Sequence, residues 1–224
     1  MLKKSVRACM LFASVVMLLG ASLAMSYEFG SKVRNGDIDV NDQLSTFSPT
    51  MTVRYLNLGA PGLDTNDVAY LAQGTTTVVL PNDIRLTPFF GYPPGTRVRA
   101  IDPDAGLPTL VLPGLWRYSN LYGVAGCDIE DPVYWSNLAA LTVADLRLTK
   151  IQELNPGTWV KDSDVDFNNP LLTLDNASPM FHDINGNGQY DDSDSVYLKV
   201  NRALPLPDEV SPGDLRLTAI SGYS

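Results

Sequence analysis

The sequence predicts an all-β fold of three tandem repeats of about 63 residues, whose antiparallel sheets form a sandwich or a pseudo-threefold assembly. Three observations predict it. The string DIRLT at 83–87 returns as DLRLT at 145–149 and 214–218, spaced by 62 and 69 residues. A valine followed four and six residues later by aspartate begins at Val33, Val98 and Val160, spaced by 65 and 62. Two aspartates three apart, then a tyrosine after three more, occur as Asp64/Asp67/Tyr70, Asp128/Asp131/Tyr134 and Asp191/Asp194/Tyr197, spaced by 64 and 63. Elements that keep one order and one period define repeats at 33–97, 98–159 and 160–224.

Ahead of the repeats come Lys3, Lys4 and Arg7, an apolar block at 8–19 and small residues ending at Ala24. That order reads as a secretory signal peptide, 1–24, cleaved after Ala24. The block is short for a membrane span, which needs about 20 apolar residues. The expected mature chain, 25–224, is a single β domain released outside the cell, with no membrane insertion. Without the three basic residues of the signal, 13 Lys and Arg face 25 Asp and Glu, a net charge of −12. A surface that acidic repels nucleic acid and anionic headgroups, and suits divalent cations. Cys127 is the mature chain's one cysteine, so no internal disulfide forms. A cross-link between subunits and a small buried side chain stay open as its roles.

Within each repeat, Ile84/Leu86, Leu146/Leu148 and Leu215/Leu217 alternate with Arg and Thr, the period of a strand with one face buried. The aspartate that starts each string belongs in the turn that launches the strand. Further short strands are expected at 69–71, 75–80, 109–116 and 196–198. No window sustains a helical period, although 135–146 allows a helical turn or two. Arg85, Arg147 and Arg216 recur at one place amid repeated aspartates. Each is expected to pair, through its planar donor fork, with an aspartate of the DIRLT string or of the Asp–Asp–Tyr triplet. Trp116, Trp135 and Trp159 read as core residues before sugar-stacking ones, Trp135 standing where the other repeats have Leu71 and Leu198. Asn176, in NASP, is a glycosylation acceptor weakened by Pro179.

The stretch 183–194, DINGNGQYDDSD, fits a twelve-residue calcium loop. Asp183, Asn185 and Asn187 take positions 1, 3 and 5, Gly188 the bend at 6 and Gln189 position 7 through its backbone. Asp191 takes position 9 and Asp194 position 12. Oxygen ligands alternate because consecutive side chains do not all turn inward, and Ca2+ is the expected ion. The flanks read as strands, unlike an EF-hand, and the plain alternative is a tight Asn-Gly turn with solvated acids. The matching segments 56–67 and 120–131 keep only the aspartate pair, so that pair reads as turn architecture and only the third repeat has a full ligand set.

The connection reading GYPPGTRV at 91–98 and LNPGTWV at 154–160 is split at the ends: 27–33 matches its second half, and the final Gly-Tyr its first half. Either the ends meet within one molecule and close a ring of sheets, or they meet between molecules and the repeats continue as a polymer. For catalysis, His182 is the only histidine, Cys127 has no obvious base, and no hydrolase, metalloprotease or phosphate-loop pattern occurs. The chain therefore reads as a non-enzyme, with a glycosidase-like carboxylate pair left to geometry.

Signal peptide, acidic β repeats, the split terminal unit, the DLRLT strings and the DINGNG loop together resemble archaeal secreted surface and filament proteins, closest to the tubular-sheath subunits of filamentous methanogens. The resemblance implies an extracellular structural subunit that self-assembles by β-edge pairing into a sheath, filament or surface layer. Its partners would be copies of itself and other envelope proteins. The alternative is a monomeric calcium-stabilised module that binds carbohydrate or another envelope component.

Overall fold

Fourteen short strands and no helix make up the described residues of the computed structural model, which are 26–47, 51–72, 74–175, 177–200 and 209–221. The fold is all-β. The expected signal peptide and Asn176 lie outside the described residues. Residues 27–220 form one compact unit.

Three four-stranded antiparallel sheets share one plan. Sheet I holds β3 (Thr52–Leu56), β4 (Val68–Ala72), β5 (Ile84–Arg85) and β6 (Leu110–Val111), in the order β5-β4-β3-β6. Sheet II holds β7 (Leu115–Tyr118), β8 (Val133–Ser136), β9 (Leu146–Arg147) and β10 (Leu172–Thr173), in the order β10-β7-β8-β9. Sheet III holds β11 (Ser178–His182), β12 (Ser195–Lys199), β13 (Leu215–Arg216) and β2 (Ser45–Thr46), in the order β13-β12-β11-β2. A two-stranded sheet joins β1 (Ser26–Tyr27) to β14 (Ile220–Ser221).

Alternation along the strands explains the layering. Val53, Tyr55, Ala69, Leu71, Ile84 and Leu86 turn to one face of sheet I and join one core with Val133, Leu146 and Leu148 of sheet II and Phe181, Val196, Leu198, Leu215 and Leu217 of sheet III. The opposite face of each sheet is covered by a connecting segment, which in sheets I and II follows the last long strand. Leu56, Val68 and Tyr70 pack there with Val79, Phe89 and Val98. Tyr134 packs with Leu141, Val160 and Leu171, and Met180 and Tyr197 pack with Val33, Leu44 and Val210. These covering segments are called flaps below. Each flap runs back along its short strand, as in Arg85 N–H to the Thr96 carbonyl at 2.9 Å and Val98 N–H to the Asp83 carbonyl at 2.9 Å.

Sheet III takes its flap and edge strand from the beginning of the chain. The Val33 N–H donates to the Asp214 carbonyl at 2.8 Å, Gly30 N–H to the Arg216 carbonyl at 2.9 Å and Val210 N–H to the Asp42 carbonyl at 2.7 Å. The second half of the split connection, 27–33, thus runs along sheet III of the same molecule, and the final Gly-Tyr lies outside the described residues. Boundaries drawn at Val33, Val98 and Val160 fall inside flaps, so every sheet draws strands from two of the three sequence segments.

Three glycines mark where the connections meet. Gly30, Gly95 and Gly157 have φ of 77°, 80° and 76°, a left-handed backbone that side chains disfavour. A Cβ on Gly30 would lie 2.5 Å from Pro156, one on Gly95 2.9 Å from Phe29, and one on Gly157 2.3 Å from Pro94. Each connection thus leans on the next in a closed cycle.

Several expectations need correction. Residues 135–146 contain no helix: β8 runs into turns and β9. The stretch 75–80 gives only an isolated bridge, Val78 with Pro108, within the flap. The DIRLT strand is buried on both faces, since Arg85, Arg147 and Arg216 lie under flaps at no more than 1 % exposure.

Candidate functional site

The most elaborate polar chemistry lies on the flap-covered faces. In sheet I, Arg85 Nε donates to Asp104 Oδ2 at 2.8 Å, and its Nη2 reaches Asp104 Oδ1 at 2.7 Å and Asp102 Oδ2 at 2.9 Å. Arg147 does the same with Asp166 at 2.8 and 2.6 Å and Asp164 at 2.7 Å. Arg216 repeats it with Asp39 at 2.8 and 2.5 Å and Asp37 at 2.9 Å. A tyrosine hydroxyl donates to the bidentate carboxylate each time: Tyr70 to Asp104, Tyr134 to Asp166 and Tyr197 to Asp39.

These partners are the aspartates of the valine-led element, which corrects the expected pairing with the DIRLT string or the Asp–Asp–Tyr triplet. The reason is local. The DIRLT aspartates accept backbone N–H groups three residues earlier: Asp83 from Leu80, Asp145 from Thr142 and Asp214 from Ser211. The second triplet aspartates close their own loops, Asp67 accepting from Leu58 and Asp64, Asp131 from Leu121 and Asp128, and Asp194 from Ile184 and Asp191. The flap returns over the strand and brings its own acids to the guanidinium.

Burial alone would raise the carboxyls of Asp37, Asp102 and Asp164. Hydrogen bonds from the arginine and from the backbone N–H groups of Arg34, Arg99 and Lys161, with the guanidinium charge, outweigh it and hold all three below the usual range.

Residues just before the valines join neighbouring sheets. Lys32 Nζ donates to the Asp128 and Asp131 carbonyls of sheet II's loop, Arg97 Nη1 to the Asp191 carbonyl of sheet III's, and Trp159 Nε1 to the Asp67 carbonyl of sheet I's at 3.2 Å. No pattern flagged these three, because Lys, Arg and Trp share only the ability to donate. Cys127 is half-buried with its Sγ 3.6 Å from Lys32 Nζ.

The 183–194 segment connects β11 to β12, between strands as its flanks suggest. Asp183 accepts the Gly186, Asn187 and Gly188 N–H groups at 2.7, 3.1 and 2.7 Å, folding the loop around its carboxylate. Asn185 and Asn187 both donate side-chain N–H to Asp191 Oδ2, at 2.6 and 2.7 Å. Gln189 N–H donates to Asn187 Oδ1 at 2.7 Å. Hydrogen bonds from the Ser193 hydroxyl and N–H, then from Asn185, hold the Asp191 carboxyl down to about 2. The structure thus gathers Asp183, Asn185, Asn187 and Asp191 and turns Asp194, 1 % exposed, into the backbone in the pose of Asp67 and Asp131. No group of three or more His, Cys, Asp and Glu side chains placed to hold a metal occurs among the described residues.

His182 ends β11 with Nδ1 3.6 Å from Asp42 Oδ2. Trp135 stacks edge-on against Trp116, ring centroids 4.5 Å apart, and both pack on the core. A cavity of about 290 Å³ opens beside sheet II, with Glu130 and Lys150 as the charged groups of its wall. No helix among the described residues is long and apolar enough to cross a membrane. No known protein family, curated protein or solved structure matches the chain.

Proposed function

We propose that the chain is a non-catalytic extracellular structural protein, in which three sequence repeats fold as three sheets closed around a pseudo-threefold axis. The finished ring assembles with copies of itself into a sheath, filament or surface layer. The observation that carries the assembly step is the set of outer edges. β6 and β10 end their sheets with Leu110, Val111 and Leu172 between 50 and 60 % exposed. An apolar strand edge on offer is a template for another strand. Of the two closures that the split connection leaves open, the pairing of Gly30 and Val33 with Arg216 and Asp214 supports the one within a molecule, and assembly then runs through the outer edges. The repeated aspartates are engaged by arginine or backbone N–H groups, which supports scaffolding over hydrolysis.

Calcium belongs to the same proposal. The loop's donors are all oxygens, which suits a hard cation. Asp183, Asn185, Asn187, Asp191 and the Gln189 carbonyl would hold it, with the two asparagine amides turning their oxygens inward. Asp194 would keep its turn and lend at most a remaining lone pair. The ion would fasten one loop at the place where Arg97 ties sheet III to sheet I's flap.

Electron microscopy and light scattering of the mature chain, with calcium and with chelator, test the reading. Ordered particles are expected, lost in a Leu110→Asp/Val111→Lys variant that keeps its circular dichroism. A monomer at every concentration would leave the second reading, a monomeric envelope-binding module, which the internal closure favours. That module predicts retention on isolated envelope material by the wild type and the edge variant alike.

A further inference from the structure

Sheet III buries a lysine that the repeat plan does not call for. Lys199 ends β12, and its side chain and that of Asp214 are both fully buried, with Nζ 2.5 Å from Asp214 Oδ2. The pairing of Tyr197 with Arg216 and of Leu198 with Leu215 sets the two residues opposite each other at the end of the ladder. The other sheets keep the same register. Trp135 pairs with Leu146, which puts Ser136 against Asp145, its hydroxyl 2.8 Å from Asp145 Oδ2. Leu71 pairs with Ile84, which puts Ala72 against Asp83.

The turn does not need the lysine. Each string aspartate accepts the N–H three residues earlier, Asp214 from Ser211 at 2.8 Å, and sheet I keeps that turn with an alanine opposite. Taking an ammonium and a carboxylate out of water is costly, and one ion pair repays it only in part. Cys127 is free, so no disulfide holds the strands of the described residues together. A covalent join would count most at this place. Lys199 and Asp214 lie 15 residues apart, against 9 for Ser136 and Asp145, and β13 is the strand on which residues 30–33 dock.

We propose that Lys199 and Asp214 condense in the folded protein to an amide between Nζ and Cγ, a cross-link from β12 to β13. The reacting forms are the free amine and the carboxylic acid. They differ from the ion pair by one proton passed to Oδ2 along the existing hydrogen bond, and a dry site narrows the gap between the two forms. The Nζ lone pair then attacks Cγ, and Oδ1 becomes the amide oxygen. Oδ2 leaves as water with that first proton and a second from nitrogen, so atoms and charge balance with no oxidant, cofactor or nucleotide. The Glu209 carbonyl, which accepts from Nζ at 2.5 Å, steadies the amine. Contact fixed by the fold stands in for chemical activation, and exclusion of water opposes hydrolysis. The cross-link is independent of the assembly reading.

The test is intact mass spectrometry of the mature chain, followed by a tryptic digest. A deficit of about 18 Da against the sequence, one lost water, is expected in the folded wild type. Trypsin should leave 162–202 joined to 203–216 as one branched peptide, because a blocked Lys199 is not cut. Lys199→Arg keeps the cation but forms no such amide, so its mass equals its sequence and its unfolding midpoint falls. Lys199→Ala installs the residue that sheet I carries at that position, so folding is retained, and it too shows its full mass. A folded wild type at its full sequence mass, a digest that cuts after Lys199, or a deficit that persists in either variant would each overturn the proposal.

Discussion

Ala144 has φ of 69°, in the left-handed region where alanine is strained. The matching residues before the other two strings are Asn82 at 74° and Gly213 at 91°, types that tolerate it. Ala144→Gly is therefore expected to stabilise the protein by about 0.5–1 kcal/mol, the strain relieved less the entropy of glycine. Urea unfolding measures it. Gly157→Ala goes the other way, because left-handed strain adds to a contact with Pro94 that has nowhere to relax. A loss of about 2–4 kcal/mol is expected, against about 1 kcal/mol for Gly36→Ala, which has the same kind of φ and open space around it. Equal losses at the two sites would show that the connections do not lean on one another. Such positions are legible in the sequence only as glycines. That Gly157 meets Pro94 from 63 residues away is a tertiary fact no local pattern carries.

A flap is held to its sheet by one arginine and two aspartates, and removing Arg147 leaves the buried Asp166 without its ion pair beside the partly exposed Asp164. Arg147→Met should cost about 3–5 kcal/mol, and adding Asp164→Asn with Asp166→Asn should recover part of it. The pH dependence has a definite sign. The folded carboxyls of Asp37, Asp102 and Asp164 lie below their unfolded values. Their stabilisation is thus complete above the unfolded pKa of about 3.9 and is lost as pH falls through the lower folded values. Burial raises Asp145 and Asp194, despite backbone N–H donors, so those two favour the folded state slightly on first acidification. The unfolding midpoint should hold above pH of about 4 and drop steeply below it, less steeply in Arg147→Met. At this scale the sequence announced the elements but mispaired them. Asp, Ile or Leu, Arg, Leu and Thr of each string all have fixed tasks, down to Thr87, Thr149 and Thr218 accepting the N–H groups of Ala69, Val133 and Val196. Which aspartate meets the arginine depends on the flap doubling back, and that fold-over has no signature in spacing. The loop at 183–194 was legible as a ligand pattern for the opposite reason: its residues are neighbours in the chain.

Closure sets the behaviour of the whole molecule. Sheet III lacks a flap and an edge strand unless residues 27–47 supply them, and Arg216 then finds Asp37 and Asp39 179 and 177 residues away. Contacts that distant form late and cooperatively, since loop closure opposes them. Deleting residues up to Leu44 should therefore expose Tyr197 and Arg216 and unfold sheet III, and with it a core that all three sheets share. If the ring is closed by equivalent connections, the position of the break is incidental. A circular permutant tests this: a short linker joins the ends after Ser221 and before Ser26, which β1 and β14 already bring side by side, and new ends open between Asn155 and Pro156. It should fold as a monomer with the parent's circular dichroism and stability within about 1–2 kcal/mol, since no strand pairing is cut. Exchange of the end segments between molecules, seen as dimers or chains in the parent that vanish in the permutant, would mean that the natural ends join neighbours and that assembly runs through the connection instead of the outer edges.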